Sequence, residues 1–127
     1  SNMDIHPSGD HVILSSFDQR VCWFDMDLGT SPYKVLRNHS KGVRAVKFHQ
    51  KFPLFADASD DSSIHVFHSK VFDDLTQNPL IIPLKIISDT HPIIRSLSIF
   101  DIAWHPTLPW LFSAGSDSTV RLYTDLH

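Results

Sequence analysis

Histidine and aspartate recur together in this sequence, and that pairing is the first place to look for chemistry. His6, His49 and His105 precede Asp18, Asp61 and Asp117 by the same twelve residues. An imidazole beside a carboxylate can relay protons, activate a nucleophile or, with further donors, ligate a metal ion. Each use needs more than the pair. Nucleophilic catalysis needs a strained Gly-x-Ser-x-Gly elbow or an equivalent, and none occurs; the glycines at 9, 29, 42 and 115 are too scattered to cradle a phosphate. His65 and His68, three apart on a strand, face opposite ways, and the single Cys22 gives no thiolate cluster. Asp57, Asp60 and Asp61 lack the alternating ligands and distal bidentate Glu of a calcium loop. The expectation is therefore no enzyme, no metal and no cofactor.

The elements that position these residues explain the spacing better. Three residues after each Asp stands a branched aliphatic (Val21, Ile64, Val120), two further on an apolar residue (Trp23, Val66, Leu122), and then an aromatic (Phe24, Phe67, Tyr123). Between His and Asp lie short runs, 11–16, 54–59 and 110–115, rich in the β-branched, aromatic and small residues of strands. Each copy is thus a hairpin with an Asp in its turn, where its carboxylate can bond the backbone just ahead. Further strand-like runs at 32–36, 42–48, 80–87 and 97–104 bring each unit towards four strands. The surplus in the second spacer predicts a surface insertion over 70–79, with a helical turn or loop at 71–75.

Val21-Cys22-Trp23-Phe24 and 52–56 are nearly continuous apolar runs, as expected of sheets covered on both faces. Repeated four-stranded units with that burial predict an all-β propeller. A sandwich of the immunoglobulin kind explains the strand number but leaves the repeat without a cause. The 127 residues, 42% hydrophobic, exclude a disordered or collagen-like chain. A net charge of −3 gives no overall basic field for nucleic acid, although Lys34, Arg37, Lys41, Arg44, Lys47 and Lys51 are concentrated in one window. From these, Arg37, Lys41 and Arg44 are the candidate contacts to RNA phosphates or a partner. The lone cysteine reads as a buried, unreactive thiol that fits a reducing intracellular compartment. The longest apolar stretch, 80–87, is too short for a membrane span, and residues 1–3 read as an appended leader with none of the features of a signal peptide.

The columns resemble the WD40 repeat. Asn38-His39 and Thr90-His91 stand in the Gly-His place, and Phe24-Asp25, Phe67-His68 and Tyr123-Thr124 in the Trp-Asp place. The resemblance implies a structural network pairing His39 with Asp61 and His91 with Asp117, Asp18 being the corresponding turn residue of the first copy. Ser59 or Ser113 would supply its hydroxyl. Phe67 has no donor to complete the network, and Tyr123 could replace the indole only in a different manner.

A closer resemblance spans residues 4–124. The runs Pro32-Tyr33-Lys34-Val35-Leu36-Arg37, Gln77-Asn78-Pro79-Leu80-Ile81 and His105-Pro106-Thr107-Leu108-Pro109-Trp110 are similar to the C-terminal blades of the block-of-proliferation ribosome biogenesis family. That family implies a WD40 β-propeller of seven blades, of which this chain carries about three. It also implies a non-catalytic scaffold in the nucleolus and nucleoplasm that serves large-subunit maturation and rRNA processing. The implied partners are a pescadillo-type protein, a second WD-repeat protein and the pre-ribosomal particle, with pre-rRNA itself a further candidate. A generic WD40 adaptor, such as a ubiquitin-ligase substrate receptor or a chromatin reader, is the alternative. The expected division is a first blade over 4–37 lacking its first strand, a second over 38–90 and a third over 91–127 lacking its outermost strand. Open edges expose unpaired backbone groups, so the isolated fragment is expected to self-associate.

Overall fold

The computed structural model describes residues 2–27, 31–72 and 79–126. Among these, eleven strands form three antiparallel sheets. The first sheet holds β1 (Asn2–Ile5), β2 (His11–Ser15), β3 (Val21–Asp25) and β4 (Lys34–Leu36) in sequential order. The second holds β5 (Val43–Phe48), β6 (Leu54–Ser59), β7 (Ile64–Lys70) and β8 (Leu80–Ile87), again in order. β9 (Ile99–Trp104), β10 (Leu111–Gly115) and β11 (Val120–Tyr123) make the third. No helix among the described residues is long and apolar enough to cross a membrane.

The twelve-residue spacing has a structural origin at both ends. At its Asp end each copy closes a three-residue hairpin loop, Phe17-Asp18-Gln19, Asp60-Asp61-Ser62 and Ser116-Asp117-Ser118. The last residue of each lies in the left-handed region (Gln19 φ 72°, Ser62 φ 70°, Ser118 φ 62°), as such loops require. At the His end, Nδ1 accepts backbone N–H groups of the turn that follows: Ser8 on His6, Lys51 and Phe52 on His49, Thr107 and Leu108 on His105. The repeated histidine is a turn cap.

The middle sheet is covered on both faces, which is why β6 is buried along its whole length. Trp23, Ile13 and Val21 of the first sheet pack with Val46, Phe48, Phe55 and Phe67 of the second. On its other face Ala45, Ala56, Ala58, Ile64 and Val66 meet Ile99, Ile102 and Leu111 of the third. The alternation along β6 sends Phe55 and Asp57 one way and Ala56 and Ala58 the other. In contrast β8 lies at a sheet edge with Ile82, Leu84 and Ile86 exposed. Pro83 is accommodated there beside a bulge, positions where a missing N–H breaks no inner ladder.

Two expectations about organisation are corrected. The first sheet does not lack its first strand, because Asn2–Ile5 pairs with Val12–Ser15 as β1, so residues 2 and 3 are not a mere leader. Its apolar side chains are exposed, with Met3 at 56% and Ile5 at 54%, and it is held by backbone pairing and by the Asp4 carboxylate, which accepts the Phe48 N–H at 2.8 Å. The insertion starts later than residue 70, since Lys70 still pairs with Leu80. Of the expected turn at 71–75, residues 73–75 lie outside the described residues. The third sheet has three strands, ending at Tyr123.

Candidate functional site

In the third sheet a polar chain runs through the interior. His91 Nδ1 lies 2.8 Å from Asp117 Oδ1, His91 Nε2 lies 2.8 Å from Ser113 Oγ, and Ser113 Oγ lies 3.0 Å from the Tyr123 hydroxyl. One consistent set of protons has Tyr123 donating to Ser113, Ser113 to the His91 ring, and His91 Nδ1–H to Asp117. Thr119 Oγ1 donates to the same carboxylate at 2.8 Å. Ser113 and the His91 side chain are fully enclosed, so each of these groups must find a partner inside the protein, and each does. Tyr123 thus ends the chain with a phenol. Gly115 is required beside it, since an added Cβ would stand 2.2 Å from His91 Nδ1.

The second sheet repeats the arrangement with one substitution. His39 Nδ1 lies 3.0 Å from Asp61 Oδ2, and Ser63 Oγ donates to Asp61 Oδ1 at 2.6 Å, as Thr119 does to Asp117. His39 Nε2, however, meets a second carboxylate, Asp57 Oδ1, at 2.5 Å. Asp57 pairs with His65 across β6 and β7 just as Ser113 pairs with Arg121 across β10 and β11. The hydroxyl expected from Ser59 is therefore absent from His39. Ser59 occupies the place of Gly115, two residues further along the strand, and its Oγ donates to the carbonyl of Gly42. In the first sheet Asp18 pairs with Arg20 at 2.8 Å, and no described histidine reaches it.

Charge follows this geometry. Burial lowers the proton affinity of His39, but hydrogen bonds and charge from Asp57 and Asp61 outweigh it and leave its pKa raised. His65 is shifted the other way, by burial and then by the neighbouring His39. Cys22 is half-buried and not enclosed as expected, because it sits on the less covered face of β3; what burial it has raises its thiol and keeps it protonated.

Of the three candidate surface cations, Arg37 and Lys41 are exposed on the connection between β4 and β5. Arg44 is engaged within the protein, with Nε and Nη2 on the two oxygens of Asp60 at 3.0 and 3.1 Å and its guanidinium over the Phe17 ring. A bidentate pair of this kind fixes the side chain. Arg37 and Lys41 are thus exposed, whereas Arg44 is held between Asp60 and Phe17.

Comparison with known proteins agrees with the repeat. The WD domain, G-beta repeat matches residues 30–68 and 85–124, which together make up more than half of the sequence. The chain belongs to the WD40 repeat family. Among relatives of this WD40 chain are the ribosome biogenesis protein ERB1 of Malassezia globosa, 57% identical, and a ribosome biogenesis protein BOP1 homolog of Dictyostelium discoideum, 58% identical. The ribosome biogenesis protein bop1-A of Xenopus laevis is 53% identical. Each similarity covers 98% of this chain but only 14%, 15% and 17% of the respective relative. The His39 and His91 networks lie within the second and third of these WD40 sheets.

Proposed function

We propose that this WD40 chain works as a non-catalytic platform in ribosome biogenesis, within maturation of the large subunit and rRNA processing in the nucleolus and nucleoplasm. The observation that carries this reading is the identity of more than half of its residues, over nearly its whole length, to proteins named for ribosome biogenesis. A rigid body of sheets stapled by internal His–Asp networks suits a scaffold, because its polar groups are spent on holding blades and its loops remain free. The partners in this proposal are a pescadillo-type protein, a second WD-repeat protein and the pre-ribosomal particle. Arg37 and Lys41 are its candidate contacts to phosphates of precursor RNA. Affinity purification of the intact protein tests it. Co-purifying large-subunit assembly factors support it, and a cullin or histone complex in their place overturns it in favour of the adaptor.

A further inference from the structure

The second blade differs from the third at one cross-strand pair, and that pair makes a set of metal donors. Asp57 faces His65 where the third blade has Ser113 facing Arg121 and the first has Leu14 facing Cys22. His39 lies over both, its ring 4.2 Å from that of His65. One donor atom from each of His39, Asp57 and His65 falls within 4.8 Å of the others. We propose that His39, Asp57 and His65 form a binding site for a divalent transition-metal ion of the zinc type.

Four independent features favour it. First, Asp57 Oδ2 is buried with no hydrogen-bond partner. A carboxylate oxygen enclosed in this way is costly unless a cation or donor completes it. Second, no hydrogen bond engages either ring nitrogen of His65 among the described residues, so a lone pair is available beside it. Third, Asp61 already holds His39 Nδ1 at 3.0 Å, and Ser40 N–H donates to that same carboxylate oxygen at 3.1 Å. A carboxylate behind one ring nitrogen is the usual support that turns the other nitrogen towards a metal. Fourth, His65 stands on the wall of a cavity of about 190 Å³ with Asn38, Phe67 and Lys85, so one of the three donors is reached from outside. Lys85 does not compete, since its ammonium donates to the Asp125 carbonyl at 3.1 Å.

Two imidazoles and one carboxylate are a donor set for zinc and its neighbours in the first transition row, and a poor one for calcium or magnesium, which take oxygen ligands. Ligand atoms of a tetrahedral zinc shell lie about 3.3 Å apart, as bond lengths near 2.0–2.1 Å dictate. His39 Nε2 and Asp57 Oδ1, at 2.5 Å, therefore separate by under about 1 Å when the ion replaces the proton between them, and His65 turns inward. The site is independent of the scaffold reading, for it needs only the second blade.

Zinc titrated calorimetrically into chelator-treated, untagged protein tests the proposal, with cobalt absorption as a readout of coordination number. One equivalent should bind at micromolar or tighter dissociation constant. Asp57→Ser copies the residue the third blade itself uses, and His65→Gln keeps the size of a half-buried side chain, so each should preserve the sheet. Each should weaken binding by at least about tenfold, the lower end of losses seen at metal sites. Absence of zinc uptake, or uptake of unchanged affinity in both variants, overturns the site and assigns any bound zinc to other histidines.

Discussion

His49 Nε2–H donates to the backbone carbonyl of Leu108 at 2.7 Å, joining the second blade to the third across 59 positions of sequence. The same ring uses Nδ1 to accept the N–H groups of Lys51 and Phe52 at 2.9 and 3.0 Å, and it packs edge-on against Trp104. Trp104 in turn donates its indole N–H to the Lys47 carbonyl at 2.9 Å. One side chain therefore caps a local turn and sets the relation of two sheets.

His49→Ala should cost more than the corresponding change at His105. It removes two turn-capping acceptors and a buried cross-sheet donor, and leaves the Leu108 carbonyl without that partner, a loss of about 2–3 kcal/mol. His105 caps Thr107 and Leu108 at 3.2 and 3.0 Å in a more exposed turn, so His105→Ala should cost about 1 kcal/mol or less. Urea unfolding of both variants measures the difference, and equal losses would show that the cross-sheet bond contributes nothing.

The phenol that ends the third blade's polar chain can be tested by removing one atom. Tyr123→Phe takes away the donor 3.0 Å from Ser113 Oγ but leaves the His91 bonds to Ser113 and Asp117 in place. A loss of about 1 kcal/mol is expected, because Ser113 can still donate to His91. Asp117→Ala removes the acceptor of His91, so it should be the more damaging change. A Tyr123→Phe protein with an unaltered melting temperature would place the phenol outside the network.

How much of this was legible in the sequence depends on which physical signal carried it. The His-to-Asp spacing was legible because it spans a capped turn, a strand and a fixed three-residue loop, all local geometry. The His39–Asp61 and His91–Asp117 pairs followed from the resemblance, and the structure brings both together. The role of Asp57 was not legible, since choosing between positions 57 and 59 needs the strand register, and both point to the same face. The Asp57–His65 pair is invisible until β6 and β7 are aligned, so histidines compared only along one strand gave no metal site. β1 escaped because Asn2–Ile5 buries little apolar surface, and its place rests on backbone pairing and on the Phe48 N–H received by Asp4, which hydrophobic patterning does not record.

The hairpin loops hold non-glycine residues in a conformation that glycine adopts without penalty. Ser118, with φ 62°, is one of them, and its exposed side chain makes no hydrogen bond among the described residues. Ser118→Gly relieves the left-handed cost at the expense of unfolded-state entropy, for a net gain of up to about 1 kcal/mol. Gly115→Ala, three residues earlier, should do the opposite. Its methyl would be driven into the His91 ring and should cost about 1–3 kcal/mol, as overpacking does. Thermal unfolding of the pair should move in opposite directions, and a stabilising Gly115→Ala would contradict the packing described.

The three loop aspartates should make stability sensitive to acid. All three carboxyls titrate below their ordinary value of 3.8: Asp18 through the Ser16 hydroxyl, Asp61 and Asp117 because hydrogen bonds from Ser63 and from Thr119 with His91 outweigh burial. A depressed folded-state pKa stabilises the protein fully above the unfolded-state value, and that contribution disappears as the pH falls through the lower folded-state value. The urea midpoint should therefore lose no contribution from these groups down to about pH 4 and lose it progressively below. Asp117→Asn should be less stable than the parent at pH 6 and approach it as the acid limb is descended, because the amide cannot lose the charge that the parent loses. Parallel acid limbs for the two proteins would show that the Asp117 charge does not hold the His91 network.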